Sequence, residues 1–151
     1  MKAIDALHEA HKMAFSPFVF ETAYTMLELG ILDEINNHRN GISIEDIAKK
    51  TNVSEYGVRV LVEMAESAGI LNKLDGELFT ATKIGYFLLR DEMTRVNLYF
   101  THDVCYNALF HLKESIQNGK PEGLKGFGDW KTIYEGLSSL PERAGRSGPP
   151  S

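Results

Sequence analysis

The sequence has a single cysteine, Cys105, among 151 residues, and no apolar run near the roughly 20 residues that a membrane-spanning helix needs. One cysteine excludes a disulfide within the chain and suits a reducing compartment. Charged and histidine side chains are scattered through Met1–Phe15, so this segment lacks the apolar stretch of a secretory signal peptide. These absences predict a soluble, cytoplasmic protein with no membrane partner.

Motifs of catalysis and cofactor binding are also missing. The sequence contains no Walker phosphate-binding loop, no zinc signature and no nucleophile elbow. Gly123, Gly126 and Gly128 follow no predicted strand and do not match the G-x-G-x-x-G order of a nucleotide cradle. The sequence therefore predicts neither catalytic nor cofactor-binding residues in this chain.

Two groups of residues have the spacing to share a helix face. His8 and His11 stand three apart, but no recognisable third metal ligand accompanies them, so we expect a surface helix and no metal site. His102 and Cys105 are also three apart, with Asp103 adjacent. Helical neighbours at this spacing rarely give a nucleophile and its base the required geometry, so we expect a packed thiol and a hydrogen-bonded histidine.

The charge balance bears on nucleic acid binding. The chain carries 16 basic and 21 acidic residues, a net charge of -5. Proteins that bind nucleic acid usually present a basic field to the phosphates, so this balance argues against such a partner. The length suits one domain that buries its core without disulfide support.

The first 29 residues predict two helices. Met1–Phe15 repeats apolar residues at helical spacing, and Ser16-Pro17 predicts a new helix start. The next helix, Phe18–Leu29, is apolar on two sides, so it is expected to pack on its own core and on something else. The second apolar face contains Phe18, Thr22, Met26 and Leu29.

The middle of the chain has the order of a winged helix-turn-helix. Ser43 opens a short helix with the spacing of a capping box, and Ser54 caps a longer helix that ends at Gly69. Strands Ile70–Leu74 and Leu78–Thr80 flank Asp75-Gly76, a hairpin signal, and Thr82 begins another helix. We predict a mainly α fold. It comprises an N-terminal helix (1–15), a winged-helix core with a two-stranded β-ribbon (16–90), a helical extension (91–142) and a disordered tail (143–151).

The last third also predicts helices. From Thr94 to Gln117, apolar residues alternate three and four apart in a heptad-like stripe. Asn118–Pro121 ends this helix. A further short helix is predicted around Trp130, Ile133, Tyr134 and Leu137. The stripe contains Leu98, His102, Cys105, Leu109, Leu112 and Ile116.

A winged helix commonly binds DNA, but the predicted recognition region is acidic. Between Ser43 and Ala68, three bases (Lys49, Lys50 and Arg59) stand against five acids, and the wing offers only Lys73 beside Asp75 and Glu77. Phosphate neutralisation by Lys and Arg supplies most non-specific DNA affinity. DNA binding is therefore not the favoured function.

Several tracts carry a family resemblance. They are Thr22–Ile35, which includes Leu-Gly-Ile-Leu-Asp, then Ile44–Thr51, Val58–Lys73, Phe79–Leu89 and the more specific tract Tyr106–Glu142. Together they resemble the N-terminal dimerisation domain of S-adenosylmethionine-dependent O-methyltransferases of the plant and polyketide-tailoring type. The resemblance covers about residues 16–142, after which Arg143–Ser151 departs from the family and suggests a truncation or a foreign tail.

The resemblance implies a homodimer that lends side chains to the acceptor pocket of a following Rossmann-like domain, which binds S-adenosylmethionine. On this resemblance His102 and Tyr106 line the acceptor pocket. The catalytic domain is not in this sequence, so the cofactor is expected only in a full-length parent. The apolar faces predict a dimer interface formed by Phe18, Thr22, Met26, Leu29, Leu98, Leu109 and Leu112.

Two other classes of function stay open at this stage. A free-standing winged helix also serves as a DNA-binding or ligand-sensing transcriptional regulator, or as a protein-interaction module. A basic patch formed only in the dimer would favour a regulator, and none is visible in the sequence.

Overall fold

The computed structural model describes residues 1–127 and divides after Asp91 into two units. Unit 1 contains α1 (Ala3–Glu28), α2 (Ile31–Asn36), β1 (Ile42–Ser43), α3 (Ile44–Thr51), α4 (Glu55–Ser67), β2 (Leu71–Leu74), β3 (Leu78–Ala81) and α5 (Lys83–Arg90). The described part of unit 2 contains α6 (Glu92–Phe100), a π-helical turn (Thr101–Cys105), α7 (Tyr106–Leu109), α8 (Leu112–Asn118) and a 3₁₀ helix (Glu122–Phe127). The predicted mainly α fold is confirmed.

The first helix runs without a break from Ala3 to Glu28, so the predicted boundary at Ser16-Pro17 is wrong. Proline has no N–H to donate to the carbonyl oxygen four residues earlier. That carbonyl belongs to Met13, and the Ser16 hydroxyl donates a 2.7 Å hydrogen bond to it. The side chain replaces the missing backbone donor, which lowers the cost of keeping Pro17 inside the helix.

Side-chain caps begin α3, α4 and α5. The Ser43, Ser54 and Thr82 hydroxyl oxygens accept hydrogen bonds from backbone N–H groups three residues further on, at 3.1, 3.0 and 3.2 Å. These bonds satisfy N–H groups that the first turn of a helix leaves without partners. The helix starts predicted at these three residues are confirmed.

The end of α4 is also the predicted one. Gly69 has a φ of 80°, and its N–H donates to the Glu66 carbonyl oxygen at 3.1 Å. The N–H of Ile70 donates to the Ala65 carbonyl oxygen at 2.9 Å, which completes a Schellman motif. A left-handed glycine ends the helix there and turns the chain toward β2.

The sheet has three antiparallel strands in the order β1-β3-β2, where the sequence predicted two. In the additional pair, Ile42 lies opposite Phe79 and Ser43 opposite Leu78. A strand of two residues is too short to show an alternating pattern, so only its pairing with β3 defines it. The predicted β2–β3 hairpin turns at Asp75–Glu77, with positive φ at Gly76 and Glu77.

The core of unit 1 lies where α1 packs on α2 and α4, while α2 also contacts β3 and α5. Ile47 of α3 and Val58 and Val62 of α4 are buried. Burial of such a side chain stabilises the fold by about 1.5–3 kcal/mol. The largest fully buried side chains are Met26, Ile31, Leu32, Ile35, Ile47, Leu71, Val58 and Val62.

In unit 2, the continuous helix predicted from Thr94 to Gln117 is wrong. A π-helical turn interrupts it at Thr101–Cys105, and a second break separates α7 from α8. A π-turn inserts an extra residue, so the side chains beyond it rotate off the predicted stripe. Leu98 is buried, whereas Leu109, Leu112 and Ile116 are exposed.

Two predictions concern other parts of the chain. The short helix predicted around Trp130, Ile133, Tyr134 and Leu137, and the disordered tail predicted for residues 143–151, lie outside the described residues. Within residues 1–127, none of the helices combines the length and the apolar character needed to span a membrane.

We expect Gly85→Ala to destabilise unit 1. A Cβ at this position would lie 2.5 Å from the backbone carbonyl oxygen of Ile70. Overpacking of this kind costs about 1–3 kcal/mol. Lys83→Ala, at an exposed position in the same helix, is the control and should change the free energy of unfolding by less than about 0.5 kcal/mol. Urea denaturation followed by circular dichroism measures the free energy of unfolding of both variants. Equal losses of stability would contradict the close approach of Gly85 to the Ile70 carbonyl oxygen.

Candidate functional site

The first half of α1, Ala3–Phe18, is exposed along its whole length and is called the α1 arm below. Ile4 and Leu7 are each at least half exposed, and the rings of Phe15 and Phe18 lie 6.1 Å apart on the same exposed surface. At 3.6 residues per turn, a stripe with His11 at its middle forms along one side of the arm. Its members are Ile4, Leu7, His11, Ala14, Phe15 and Phe18. An exposed apolar stripe of this length marks an interaction surface.

His8 and His11 lie on this arm and are both exposed. Among residues 1–127, no group of three or more histidine, cysteine or acidic side chains has the arrangement to hold a metal ion. His11 belongs to the apolar stripe by its helical position. The arm is therefore better described by the surface it offers to another helix.

The helix-turn-helix presents α4 as its outer helix. The side chains of Glu55, Glu63 and Glu66 are exposed there, next to Tyr56 and Val60, which are also exposed. A recognition helix that enters the major groove needs base-reading and phosphate-binding side chains at these positions. This surface offers carboxylates and apolar side chains instead.

The lysine and arginine side chains that the sequence analysis named in the helix-turn-helix and its wing all pair with carboxylates. Arg59 pairs with Glu63 at 3.6 Å, and Lys73 of the wing pairs with Glu77 at 3.5 Å. The other two pairs are Lys49–Glu45 at 2.6 Å and Lys50–Glu34 at 3.6 Å. Exposed pairs contribute little to stability, but each neutralises a charge that a phosphate would require.

The two predicted acceptor-lining residues lie together at the π-helical turn of unit 2. The rings of His102 and Tyr106 are stacked, with centroids 6.0 Å apart and planes 20° apart. His102 Nδ1 lies 2.9 Å from the Asp103 carboxylate, and both side chains are about one quarter exposed. A carboxylate that accepts from Nδ1–H fixes the tautomer and the orientation of the imidazole. The sequence had placed Asp103 beside His102 without giving it this role.

Cys105 closes the same turn and is partly buried. Burial raises the pKa of its thiol. Because the thiolate is the reactive form, this environment suits a packing residue better than a nucleophile. That agrees with the role expected from the sequence.

The glycine segment after α8 has a steric explanation. A Cβ at Gly123 would lie 3.1 Å from the Cβ of Ala108, so glycine lets the 3₁₀ helix lie close against α7. Lys125 pairs there with Glu114 and Glu122 at 2.6 and 2.7 Å and lowers the pKa of both carboxyl groups. Gly128 lies outside the described residues.

One family model matches a region of the sequence that includes most of the α1 arm. The model of the Dimerisation2-like domain matches residues 8–78, which run from the α1 arm to the start of β3. Residues 8–78 are therefore similar in sequence to a Dimerisation2-like domain. The resemblance stated from the sequence is thereby confirmed, although the match spans just under half of the chain.

Solved structures share the fold over nearly the whole chain. The S-adenosylmethionine-dependent methyltransferase SibL matches with 17% identity and a TM-score of 0.78 over 92% of this chain and 41% of its own. Human N-acetylserotonin methyltransferase, in complex with S-adenosylmethionine, matches with 17% identity and a TM-score of 0.72 over 93% of this chain and 43% of its own. The mitomycin 7-O-methyltransferase MmcR matches with 17% identity and a TM-score of 0.73 over 95% of this chain and 44% of its own. At these identities the likeness shows the fold, and the chain spans about two fifths of the length of each structure.

No curated protein sequence matches the chain. The sequence likeness thus comes from the Dimerisation2-like model, and the fold likeness comes from the methyltransferase structures.

We expect no DNA binding by the unmodified protein at physiological salt, because carboxylates engage the bases of the helix-turn-helix. Replacing Glu63 and Glu66 by lysine should create weak, salt-sensitive binding, since it frees Arg59 and adds two cations. The pair Asp5→Lys and Glu9→Lys on the α1 arm is the control for net charge. Fluorescence anisotropy of a labelled DNA duplex measures the affinity of the unmodified protein and of the two double variants. Affinity of the unmodified protein tighter than about micromolar would instead favour a regulator.

We also expect Cys105 to react slowly in the native protein. At pH 8, Ellman's reagent should label it several-fold more slowly than in guanidinium chloride, because burial disfavours the thiolate. A native rate equal to the unfolded rate would show that the thiol is an accessible, reactive group.

Proposed function

We propose that the chain is the dimerisation and acceptor-pocket helper domain of an S-adenosylmethionine-dependent O-methyltransferase. The observation that carries the proposal is the exposed apolar stripe of the α1 arm within a Dimerisation2-like domain. The structures that share the fold are methyltransferases, and each has more than half of its length beyond the matched region. The catalytic domain of the parent protein would lie there.

S-adenosylmethionine would supply the methyl group in that catalytic domain. The described residues do not fit this cofactor, because no β-strand among them leads through a glycine-rich turn into a helix, as a Rossmann-like site requires. The chain's own contribution would be to shape the surface that the methyl acceptor meets. Its single cysteine suits the cytoplasm.

The exposure of the side chains refines the proposed dimer interface. Phe18, Leu29, Leu109 and Leu112 are exposed and available to a second copy. Thr22, Met26 and Leu98 are buried within their own chain, so they would support the interface from behind. The α1 arm, which adds Ile4 and Leu7, extends the surface beyond the set expected from the sequence. A stable obligate interface would bury upward of roughly 2,000 Å².

His102 and Tyr106 are the proposed acceptor-pocket residues. Their stacked rings present flat, polarizable surfaces, and Asp103 orients the imidazole that would hydrogen-bond an acceptor hydroxyl. This pairing suits an acceptor with an aromatic ring and a hydroxyl group. The residues would position the acceptor and take no part in the bond changes at the methyl group.

A winged-helix regulator is the alternative function. It has the fold in its favour, but fold alone does not imply function. The four ion pairs across its helix-turn-helix and wing give it no support.

The dimer proposal is tested on the α1 arm. Leu7→Glu and Phe18→Glu should each weaken the dimer at least roughly tenfold, because a carboxylate would be buried on the shared apolar stripe. Met13→Glu is the matched control, since Met13 is exposed on the opposite side of the same helix and should leave the dimer intact. Analytical ultracentrifugation across a concentration series measures the dissociation constants.

Two results would contradict the proposal. One is a monomer at micromolar concentration for the unmodified protein. The other is an equal loss of dimer from all three glutamate variants, which would show a general effect of charge on the arm.

A further inference from the structure

A cavity of about 290 Å³ lies in unit 1 on the side formed by the end of α2, the turn after it, the end of β3 and the middle of α5. Its polar lining residues are Asn36, His38, Arg39, Thr80 and Tyr86, and the fully buried Ile35 lies behind them. All of these residues belong to unit 1. None of them belongs to the proposed dimer interface or to the π-helical turn.

The charge of the cavity is the opposite of the charge of the chain. The protein has a net charge of -5, yet the lining contains an arginine and a histidine and no carboxylate. Within residues 1–127, the Arg39 guanidinium makes no ion pair or hydrogen bond, in contrast to the paired bases of the helix-turn-helix. Of the acids on α2, Asp33 pairs with Arg90, while the Glu34 carboxylate lies 3.6 Å from both Lys50 and the His38 ring. Neither acid pairs with Arg39.

The backbone around the cavity is held in place. The N–H of His38 donates to the Ile35 carbonyl oxygen at 3.1 Å, and the N–H of Gly41 donates to the His38 carbonyl oxygen at 3.0 Å. The His38 ring is fixed as well, because Nδ1 donates to the Glu34 carbonyl oxygen at 2.8 Å. The turn that carries Arg39 is therefore preorganised, and little ordering would be needed for a ligand to bind.

Several hydrogen-bonding groups of the lining have no partner within the described residues. They are the side-chain amide of Asn36, the hydroxyl groups of Thr80 and Tyr86, and the Arg39 guanidinium. A guanidinium with neutral donors around it is the arrangement that recognises carboxylate and phosphate oxygens. The volume is at the lower end of the range for small-molecule sites.

We propose that this cavity binds a small anionic molecule through a carboxylate or phosphate group held by Arg39. The neutral donors of Asn36, Thr80 and Tyr86 would hydrogen-bond the anion or an adjacent hydroxyl, and the exposed ring of Tyr86 would pack against its apolar part. The site shares no residue with the proposed dimer surface or with the proposed acceptor-pocket pair. If the cavity bound no anion, the proposed dimerisation and acceptor-pocket function would be unaffected. If that function were disproved, the proposed anion site would be unaffected.

The test is a titration of the full 151-residue chain with inorganic phosphate, acetate and benzoate, followed by ¹H–¹⁵N NMR. We expect saturable shifts, at millimolar ligand, of the Asn36 side-chain amide and of the backbone amides at Arg39 and Ala81. The preferred probe distinguishes a phosphate ligand from a carboxylate ligand, and a preference for benzoate over acetate would locate the apolar part of the ligand.

Arg39→Gln should weaken binding of the preferred probe at least roughly tenfold, because it removes the charged hydrogen bonds. Lys83→Gln removes the same charge from an exposed position outside the cavity lining and should leave the affinity unchanged. Tyr86→Phe removes only a hydroxyl group and should weaken binding by a smaller factor. Thermal unfolding of each variant checks that the fold is retained.

Shifts that do not saturate would overturn the proposal. So would equal losses in Arg39→Gln and Lys83→Gln, which would mean an adventitious ion only. A labelled DNA duplex that shifted the same amides more strongly than any small anion would replace the small molecule with a nucleic acid phosphate.

Discussion

The packing of the second half of α1 decides the architecture of unit 1. Ala23 and Met26 are buried on this half, where α1 contacts α2 and α4. The first half of the same helix has no comparable cover among residues 1–127, where its apolar side chains are exposed. One continuous helix thus joins a core element to an apolar arm, and the Ser16–Met13 hydrogen bond keeps the two halves continuous past Pro17.

The helix-turn-helix shows how one fold is separated from its most familiar use. Its caps, its turn and its wing are those of a winged helix, yet ion pairs within the chain engage its bases. Electrostatic attraction to phosphates depends on surface charge and not on backbone topology, so the same architecture can carry paired basic side chains. Arg39 has no ion-pair partner within the described residues and lines a cavity on a different part of the unit.

Unit 2 places its chemistry at an irregularity of the helix. At the π-helical turn the His102 ring stacks on Tyr106, and the Asp103 carboxylate lies at its Nδ1 atom. His102 and Tyr106 are four residues apart, a spacing at which a regular helix also brings side chains together. The extra residue of the turn removes Leu109 and Leu112 from the stripe that regular periodicity predicts.

The sequence by itself determined the features that depend on short-range hydrogen bonds and on local periodicity. These include the caps at Ser43 and Ser54, the glycine end of α4 and the inward faces of α3 and α4. It also contained the tracts Thr22–Ile35, Ile44–Thr51 and Val58–Lys73, which lie within the region that the Dimerisation2-like model matches. Each such signal lies within a few residues, so no distant contact was needed to interpret it.

Only the tertiary structure decided the features that depend on partners far along the chain. The sequence placed Met26 and Thr22 on a face expected to contact a second copy, but packing within the chain buries them. Strand β1 exists because Ile42 meets Phe79, and the cavity beside Arg39 exists because α2, β3 and α5 converge. Periodicity defines which residues share a face, whereas the contacts of that face depend on which elements meet in space.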